Sequence, residues 1–334
     1  MSSSSISSLA AIGEFGLISR ITGRVVTNES VIAGIGDDAA VTALSPGMQL
    51  LTSTDMLLED VHFRRSWHDP YRLGRKSLAV SISDIAAMGG IPRWSLLSIA
   101  IPADLPLVFI DDFMCGYLSM AAENNVILIG GDTCSSRAGL VLSVTIMGEQ
   151  LPEQVVCRSG AQPGDDIWVT GTLGDAALGL KLSEDGEPVS EELIARLLDP
   201  APRVSAARAL TEAGVVTAMI DVSDGILADF GHIAEHSGVG GCIQIGALPL
   251  SRYFCSYSAD FSDIPYHLAL SGGEDYELCF TADRSNRENI SDCMKKCGIA
   301  MTRIGIVSSS VGVSAVYPDG SIYKAQRDGF THFK

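Results

Sequence analysis

Short apolar runs that break off at glycine and an acidic residue constrain this chain more than any other feature. Val126-Ile-Leu-Ile129 stops at Gly130-Gly131-Asp132, and Ile167-Trp-Val-Thr170 runs into Gly171-Thr-Leu-Gly174. Leu140 to Met147 is similarly rich in β-formers. Apolar runs of this length between turn residues read as buried strands. Helical patterns alternate with them. The clearest begins near Gly225, with Ile226, Leu227, Phe230 and Ile233 at i, i+1, i+4 and i+7, and Gly238 stops it. Others cover Tyr71 to Met88, Asp111 to Asn124, Glu191 to Leu198, Pro202 to Ala213 and Ser285 to Cys297. The class is therefore mixed α and β with some antiparallel pairing. No fixed-period repeat is present, which excludes solenoids and propellers. Ser83-Asp-Ile-Ala86 faintly echoes Ser223-Asp-Gly-Ile226, too briefly to establish a duplication. At roughly 150 residues per domain, 334 residues predict two domains. A strand gives way to polar residues and proline in Glu149-Gln-Leu-Pro-Glu153, so the expected division is 1–149 and 150–334.

Charge narrows the partners. With 23 basic and 40 acidic side chains the net charge is −17, which repels nucleic-acid backbones. If the ligand is itself anionic, a divalent cation is the natural mediator. The eight cysteines contain no C-x-x-C pair, which argues against a structural zinc site, and Cys293 and Cys297 read as reduced thiols one helical turn apart. The opening residues lack a basic n-region, so no signal peptide is expected. Asp84, Arg93 and Asp111 interrupt the apolar neighbourhoods before they reach the ~18 residues of a membrane span. The expected location is the cytoplasm.

Several motifs fail on inspection. Gly34-Ile-Gly36-Asp-Asp-Ala39 has dinucleotide-fingerprint spacing, but Asp37 and Asp38 stand where a pyrophosphate would approach. Leu73-Gly-Arg-Lys-Ser77 resembles the tail of a phosphate-binding loop without its leading glycine, and reads more simply as a helix with a basic face. His232-Ile-Ala-Glu235-His236 matches a zinc-peptidase pattern, against the plainer reading of two histidines on the solvent side of a helix. No G-x-S-x-G elbow is present.

What remains is a set of acids read as sitting at turns: Asp37-Asp38, Ser53-Thr54-Asp55, Glu59-Asp60, Asp84, Asp132, Asp221-x-Ser223-Asp224 and Glu274-Asp275. Small or glycine neighbours flank most of them, and several follow a strand. Any one alone is an ordinary turn former or helix cap, Asp84 included. Together, with hydroxyls beside them and no matching basic cluster, they resemble the oxygen donors that magnesium shares with substrate phosphates. Phosphoryl transfer fits, because metals and positioning rather than covalent chemistry carry it. Arg158 is a candidate phosphate contact or an ordinary surface arginine.

The motifs resemble the thiamine-monophosphate kinases. Gly13-Glu-Phe15, Gly34 to Ala39, Ser53-Thr-Asp55 with Val61-His-Phe63, and Leu78 to Gly89 carry the resemblance. Ile129 to Thr133, Arg158-Ser-Gly160, Asp221 to Gly225, Leu270-Ser-Gly-Gly-Glu-Asp-Tyr-Glu-Leu278 and Gly329-Phe330 complete it. It spans about Gly13 to Phe333 in the family's order. It implies an α+β, two-domain aminoimidazole ribonucleotide synthetase-like fold: an N-terminal sheet domain that dimerises and a C-terminal α+β domain that completes the site. It also implies transfer of the γ-phosphoryl group of ATP to thiamine monophosphate. The implied magnesium ligands are Asp38, Ser53, Thr54, Asp55, Asp84, Asp132, Asp221 and Asp224. ATP contacts fall on Gly131, Asp132, Arg158 and Ser223, and thiamine monophosphate contacts on His62, Glu274 and Phe330. The acceptor is a phosphate oxygen already ionised near neutral pH, so no general base is expected and several Mg²⁺ ions would offset the repulsion between anions.

The sequence departs from the family at Ser81, where Asn is frequent, and at Cys134, where Thr is usual. Other enzymes of the superfamily are the nearest alternatives. No cysteine precedes Cys115 to suit a selenophosphate synthetase, and the ending His332-Phe-Lys334 lacks the cysteine of a hydrogenase-maturation protein. A zinc peptidase at 232–236 and a non-catalytic nucleotide sensor are the remaining readings.

Overall fold

The computed structural model describes residues 9–258, 265–324 and 329–330. The serine-rich opening and the closing His332-Phe-Lys334 lie outside them. The chain divides into two compact units, 1–85 with 91–152, and 86–90 with 153–334.

The first unit begins with α1 (Leu9–Thr22), bent at Gly13, and a small ladder of β1 (Val31–Ala33) with β2 (Val41–Thr42). There follow β3 (Gln49–Leu58), α2 (Pro70–Ala87), β4 (Ile91–Pro102), α3 (Leu107–Glu123), β5 (Ile127–Ser136) and β6 (Val141–Gln150). Its main sheet runs β3-β6-β4-β5, antiparallel except for the parallel pair β4–β5. A parallel pair needs a crossover, and α3 supplies it. Along β3 the odd positions Leu51 and Leu57 are buried, whereas Leu50, Thr52, Thr54 and Met56 are exposed on the other face. Helices α2 and α3 cross through two glycines. A Cβ on Gly74 would lie 2.0 Å from the Phe113 carbonyl oxygen, and one on Gly116 would lie 1.8 Å from that of Tyr71. Leu73 to Ser77 is therefore helical as expected, but it has no simple basic face: Lys76 is wholly buried, and Gly74 serves helix packing.

The second unit contains β7 (Asp166–Thr170), α4 (Asp175–Asp185), α5 (Glu191–Leu198), α6 (Val204–Glu212), β8 (Ala218–Asp221), α7 (Ile226–Ser237) and β9 (Gly240–Gln244). It continues with α8 (Arg252–Ser258), α9 (Tyr266–Ser271), β10 (Leu278–Ala282), α10 (Arg287–Cys297), β11 (Met301–Ser308) and β12 (Gly312–Val316). Six strands form one sheet in the order β12-β9-β11-β7-β10-β8, antiparallel apart from β12–β9. Ile226, Leu227, Phe230 and Ile233 bury the face of α7 that the sequence pattern predicts, and Gly238 ends the helix in the left-handed region at φ 66°. On the opposite side Trp168 stacks on Phe280 in a core shared with α6 and α10. The architecture is the mixed α+β, two-domain arrangement expected.

Three local expectations change. The run at Val126 does not stop at Gly130-Gly131-Asp132, because β5 continues to Ser136. The ladder steps from Ser95↔Leu128 to Leu96↔Gly130, leaving Ile129 as a bulge. At Gly131 (φ 156°) a Cβ would lie 1.8 Å from the Leu97 carbonyl oxygen, so glycine marks a close strand approach rather than a chain reversal. Ser53-Thr54-Asp55 lies inside β3 rather than at a turn, and Asp84 lies in the last turn of α2 rather than at its N-cap.

Candidate active site

In the first unit, β3 and α2 bring four of the oxygen donors together. Strand alternation puts Ser53 and Asp55 on one face, and an i, i+3 spacing puts Ser81 and Asp84 on one side of α2. Ser53 Oγ donates to Asp84 Oδ2 at 2.5 Å, and Ser81 Oγ donates to Asp55 Oδ2 at 2.7 Å. Each carboxylate thus has an oxygen tied to a neighbouring hydroxyl, which fixes where it points. Thr54 faces the other side of the sheet, its hydroxyl 3.2 Å from the Val144 carbonyl oxygen and 3.1 Å from Thr145 Oγ1. Its side chain is not gathered with Ser53 and Asp55. Asp38 is exposed in the loop after β1, and Asp132 is exposed on the edge strand β5.

His62 follows β3 in a turn where Asp60 takes a left-handed φ of 64°. Its Nδ1 accepts the Leu58 backbone N–H at 3.0 Å. The neutral ring must then carry its proton on Nε2, which leaves that nitrogen as a donor. Glu59, by contrast, is occupied structurally: its carboxylate accepts from Arg65 Nε at 2.5 Å and from the Leu140 N–H at 2.7 Å.

In the second unit, Asp221 ends β8, and Ser223 and Asp224 occupy the turn before α7. Two other segments close on this turn. The Glu274 N–H donates to the Ser223 carbonyl at 2.8 Å, and the Phe330 N–H donates to the Asp224 carbonyl at 3.2 Å. The structure therefore gathers Asp221, Ser223, Asp224, Glu274 and Phe330, the last with 54% of its surface exposed. Arg158 is not gathered with them. Its carbonyl and the Gly160 and Ala161 amides meet Ser237 Oγ, at the far end of α7 from Asp224. A helix of 12 residues separates those ends by about 18 Å.

Sequence reasoning missed two residues here. Asp229 sits in the first turn of α7, nearly fully buried, and accepts the Asp224 and Gly225 amides at 3.1 and 3.0 Å. Burial, then the charges of Asp221 and Asp224, push its pKa well above the usual carboxylate range. An acid one turn inside a predicted helix start was the available signal. Ser81 was noted only as a departure, although its spacing to Asp84 already placed the two on one helix face.

The donors suit a hard cation. All are oxygens, and the crowding of Asp221, Asp224 and Asp229 is the charge imbalance a divalent ion relieves. Among the described residues, no three His, Cys, Asp or Glu side chains form a complete metal cage. His232, Glu235 and His236 are exposed on the solvent side of α7.

The model of the AIR synthase related protein N-terminal domain matches residues 36–150, and that of the corresponding C-terminal domain matches residues 162–318. Thiamine-monophosphate kinase of Salmonella typhimurium is 38% identical over 330 residues, covering 97% of this chain and 99% of the relative. The crystal structure of thiamine-monophosphate kinase from Stenotrophomonas maltophilia is 38% identical with a TM-score of 0.83, covering 95% of this chain and 99% of that one. A structure of AaThiL complexed with AMPPCP and TMP is 34% identical with a TM-score of 0.77, covering 97% and 98%. Identity at this level along nearly the whole of both chains makes this protein a member of the thiamine-monophosphate kinase family.

Proposed function

We propose that this protein transfers the γ-phosphoryl group of ATP to thiamine monophosphate, giving thiamine diphosphate and ADP. The observation that carries the reading is the end-to-end similarity to a kinase structure complexed with AMPPCP and TMP. Asp38, Ser53, Thr54, Asp55, Asp84 and Asp132 are the proposed Mg²⁺ ligands in the first unit, and Asp221 and Asp224 those in the second. Bound there, Mg²⁺ supplies charge neutralisation between two anionic substrates. Ser53 and Ser81 keep the Asp84 and Asp55 carboxylates aimed, so little reorganisation is needed as charge develops. Gly131, Asp132, Ser223 and Arg158 are the proposed ATP contacts.

On the acceptor side, His62 Nε2–H would donate to phosphate. Glu274 offers a carboxylate to the cationic thiazolium, and Phe330 offers an exposed ring face to it. The attacking oxygen is already ionised, so transfer proceeds in line without a general base or phosphoenzyme. The apolar side chains left exposed along β3, Leu50 at 49% and Met56 at 58%, support a homodimer formed through this unit. No described helix is long and apolar enough to cross a membrane. Together with the strong negative charge, this supports a cytoplasmic enzyme of small molecules rather than of nucleic acid or lipid.

Incubation of the purified protein with ATP, Mg²⁺ and thiamine monophosphate, with and without EDTA, tests the reading. Thiamine diphosphate forms one-for-one with ADP and disappears on chelation. ATP binding without thiamine diphosphate would move the function to another acceptor within the superfamily.

A further inference from the structure

The segment 273–277 combines backbone strain with buried charge in a way the phosphoryl-transfer chemistry does not itself use. Glu274 and Tyr276 both adopt left-handed φ, 67° and 48°, although neither is glycine. Between and after them, Asp275 and Glu277 point inward and are 2% and 0% exposed. The alternation is regular: strained residues outward, buried carboxylates inward.

Both buried groups are anchored. Asp275 accepts the Gly174 N–H on both carboxylate oxygens at 3.0 Å. Glu277 accepts from Arg203 Nε and Arg196 at 2.6 Å each, and from Thr170 Oγ1 at 2.6 Å. Arg196 also reaches the Asp275 carbonyl at 3.4 Å. A Cβ on Gly171 would lie 2.1 Å from Glu277 Oε1, so glycine there leaves room for the carboxylate. Burial alone would raise the Glu277 pKa, but the two guanidiniums hold it below the usual range. The loop is also zipped to the Asp221–Gly225 turn. Tyr276 N–H donates to Val222, Glu274 N–H donates to Ser223, and Val222 N–H donates to Glu277, at 2.7 to 2.8 Å.

We propose that Asp275 and Glu277 are positioning residues, which hold Glu274 in its left-handed conformation and so set the affinity for the acceptor. The buried anchors offset the strain at 274 and 276; without them the segment relaxes, and the Glu274 backbone leaves its place against the Ser223 carbonyl, taking the side chain with it. This rests on the proposed contact between Glu274 and thiamine monophosphate.

The test is steady-state kinetics on the full chain, varying ATP and thiamine monophosphate separately, for Glu277→Gln, Asp275→Asn and Glu274→Ala. All three are expected to raise KM for thiamine monophosphate about 10-fold. For the two positioning variants, kcat and KM for ATP should stay within about twofold. Tyr276→Gly, placed in the Glu277→Gln chain, removes one strained residue and is expected to recover at least about a third of the lost affinity. If Glu277→Gln does not fold, Asp275→Asn decides. An unchanged acceptor KM in the positioning variants, with a raised one in Glu274→Ala, overturns the proposal. So does a loss of kcat and both KM values together with melting temperature, unrescued by Tyr276→Gly. An unchanged KM in Glu274→Ala removes the contact on which the proposal rests. Wild-type protein that makes no thiamine diphosphate would refute the kinase reading itself.

Discussion

His68 offers a sharp test of the energetics of the first unit. It lies just before α2, 2% exposed, with both ring nitrogens sealed from solvent and its ring edge-on to Phe63. Burial, and then the charge of the buried Lys76, lower its pKa from 6.5 to about 3. Because the folded value is the lower one, the unfolded chain binds more protons between those limits, and stability falls as pH falls. Between pH 7 and pH 5 the unfolded imidazole takes up about 0.7 of a proton and the folded one almost none. At 1.36 kcal/mol per pH unit, the loss integrates to about 2 kcal/mol. His68→Phe keeps a flat ring and removes the titration. The comparison is urea unfolding of wild type and variant at pH 7, 6 and 5 in a Trp168→Phe background. There Trp67 and Trp94, both in the first unit, report the transition. Other groups titrate equally in both proteins, so the difference isolates the histidine. Wild type should lose about 2 kcal/mol more than the variant on going to pH 5. Parallel losses in the two proteins would refute the buried, neutral histidine.

Asp55→Asn and Asp221→Asn should each reduce turnover more than about 100-fold while circular dichroism stays that of the wild type, as expected for loss of an aimed metal ligand. Near-wild-type turnover in either variant would remove that residue from the site. EDTA should abolish turnover and excess Mg²⁺ should restore it, read as ADP release. Gly116→Ala places a methyl group 1.8 Å from the Tyr71 carbonyl oxygen. Overpacking of that kind costs about 1–3 kcal/mol, so the first transition in a calorimetric scan should shift down by several degrees. The depressed pKa of Glu277 stabilises the fold above the ordinary carboxylate pKa and is lost as pH falls through the folded value. Wild type should therefore destabilise below about pH 4.5, and Glu277→Ala, which strands two arginines, should cost about 3–5 kcal/mol at pH 7 by urea unfolding.

How far the sequence is legible follows from the range of the forces involved. Helix α7 is readable because apolar spacing and a terminal glycine are local signals, and its buried face is the one those residues predict. The oxygen donors are readable as residue types, because hard-cation chemistry leaves few alternatives. Their settings are not. Asp132 and its two glycines look like a turn, yet they lie in a strand, where Gly131 is demanded by the Leu97 carbonyl on the neighbouring strand. Lys76 looks solvent-facing from its neighbours, yet it is wholly buried beside His68 by packing distant in sequence. Asp229 and Glu277 carry the same difficulty further. Their side chains act on segments that are distant in sequence or on backbone amides, and neither kind of partner leaves a periodic trace. Apart from Asp221, which is buried at the end of β8, the carboxylates proposed to touch metal and substrate stand on exposed or half-buried positions where chemistry selects the residue type. Those that aim the surrounding loops are buried, and a buried acid must be hydrogen-bonded or paired wherever it occurs. A reading by residue type therefore finds the contacts and misses their supports. That asymmetry makes the buried pair at 275 and 277 the more informative place to perturb.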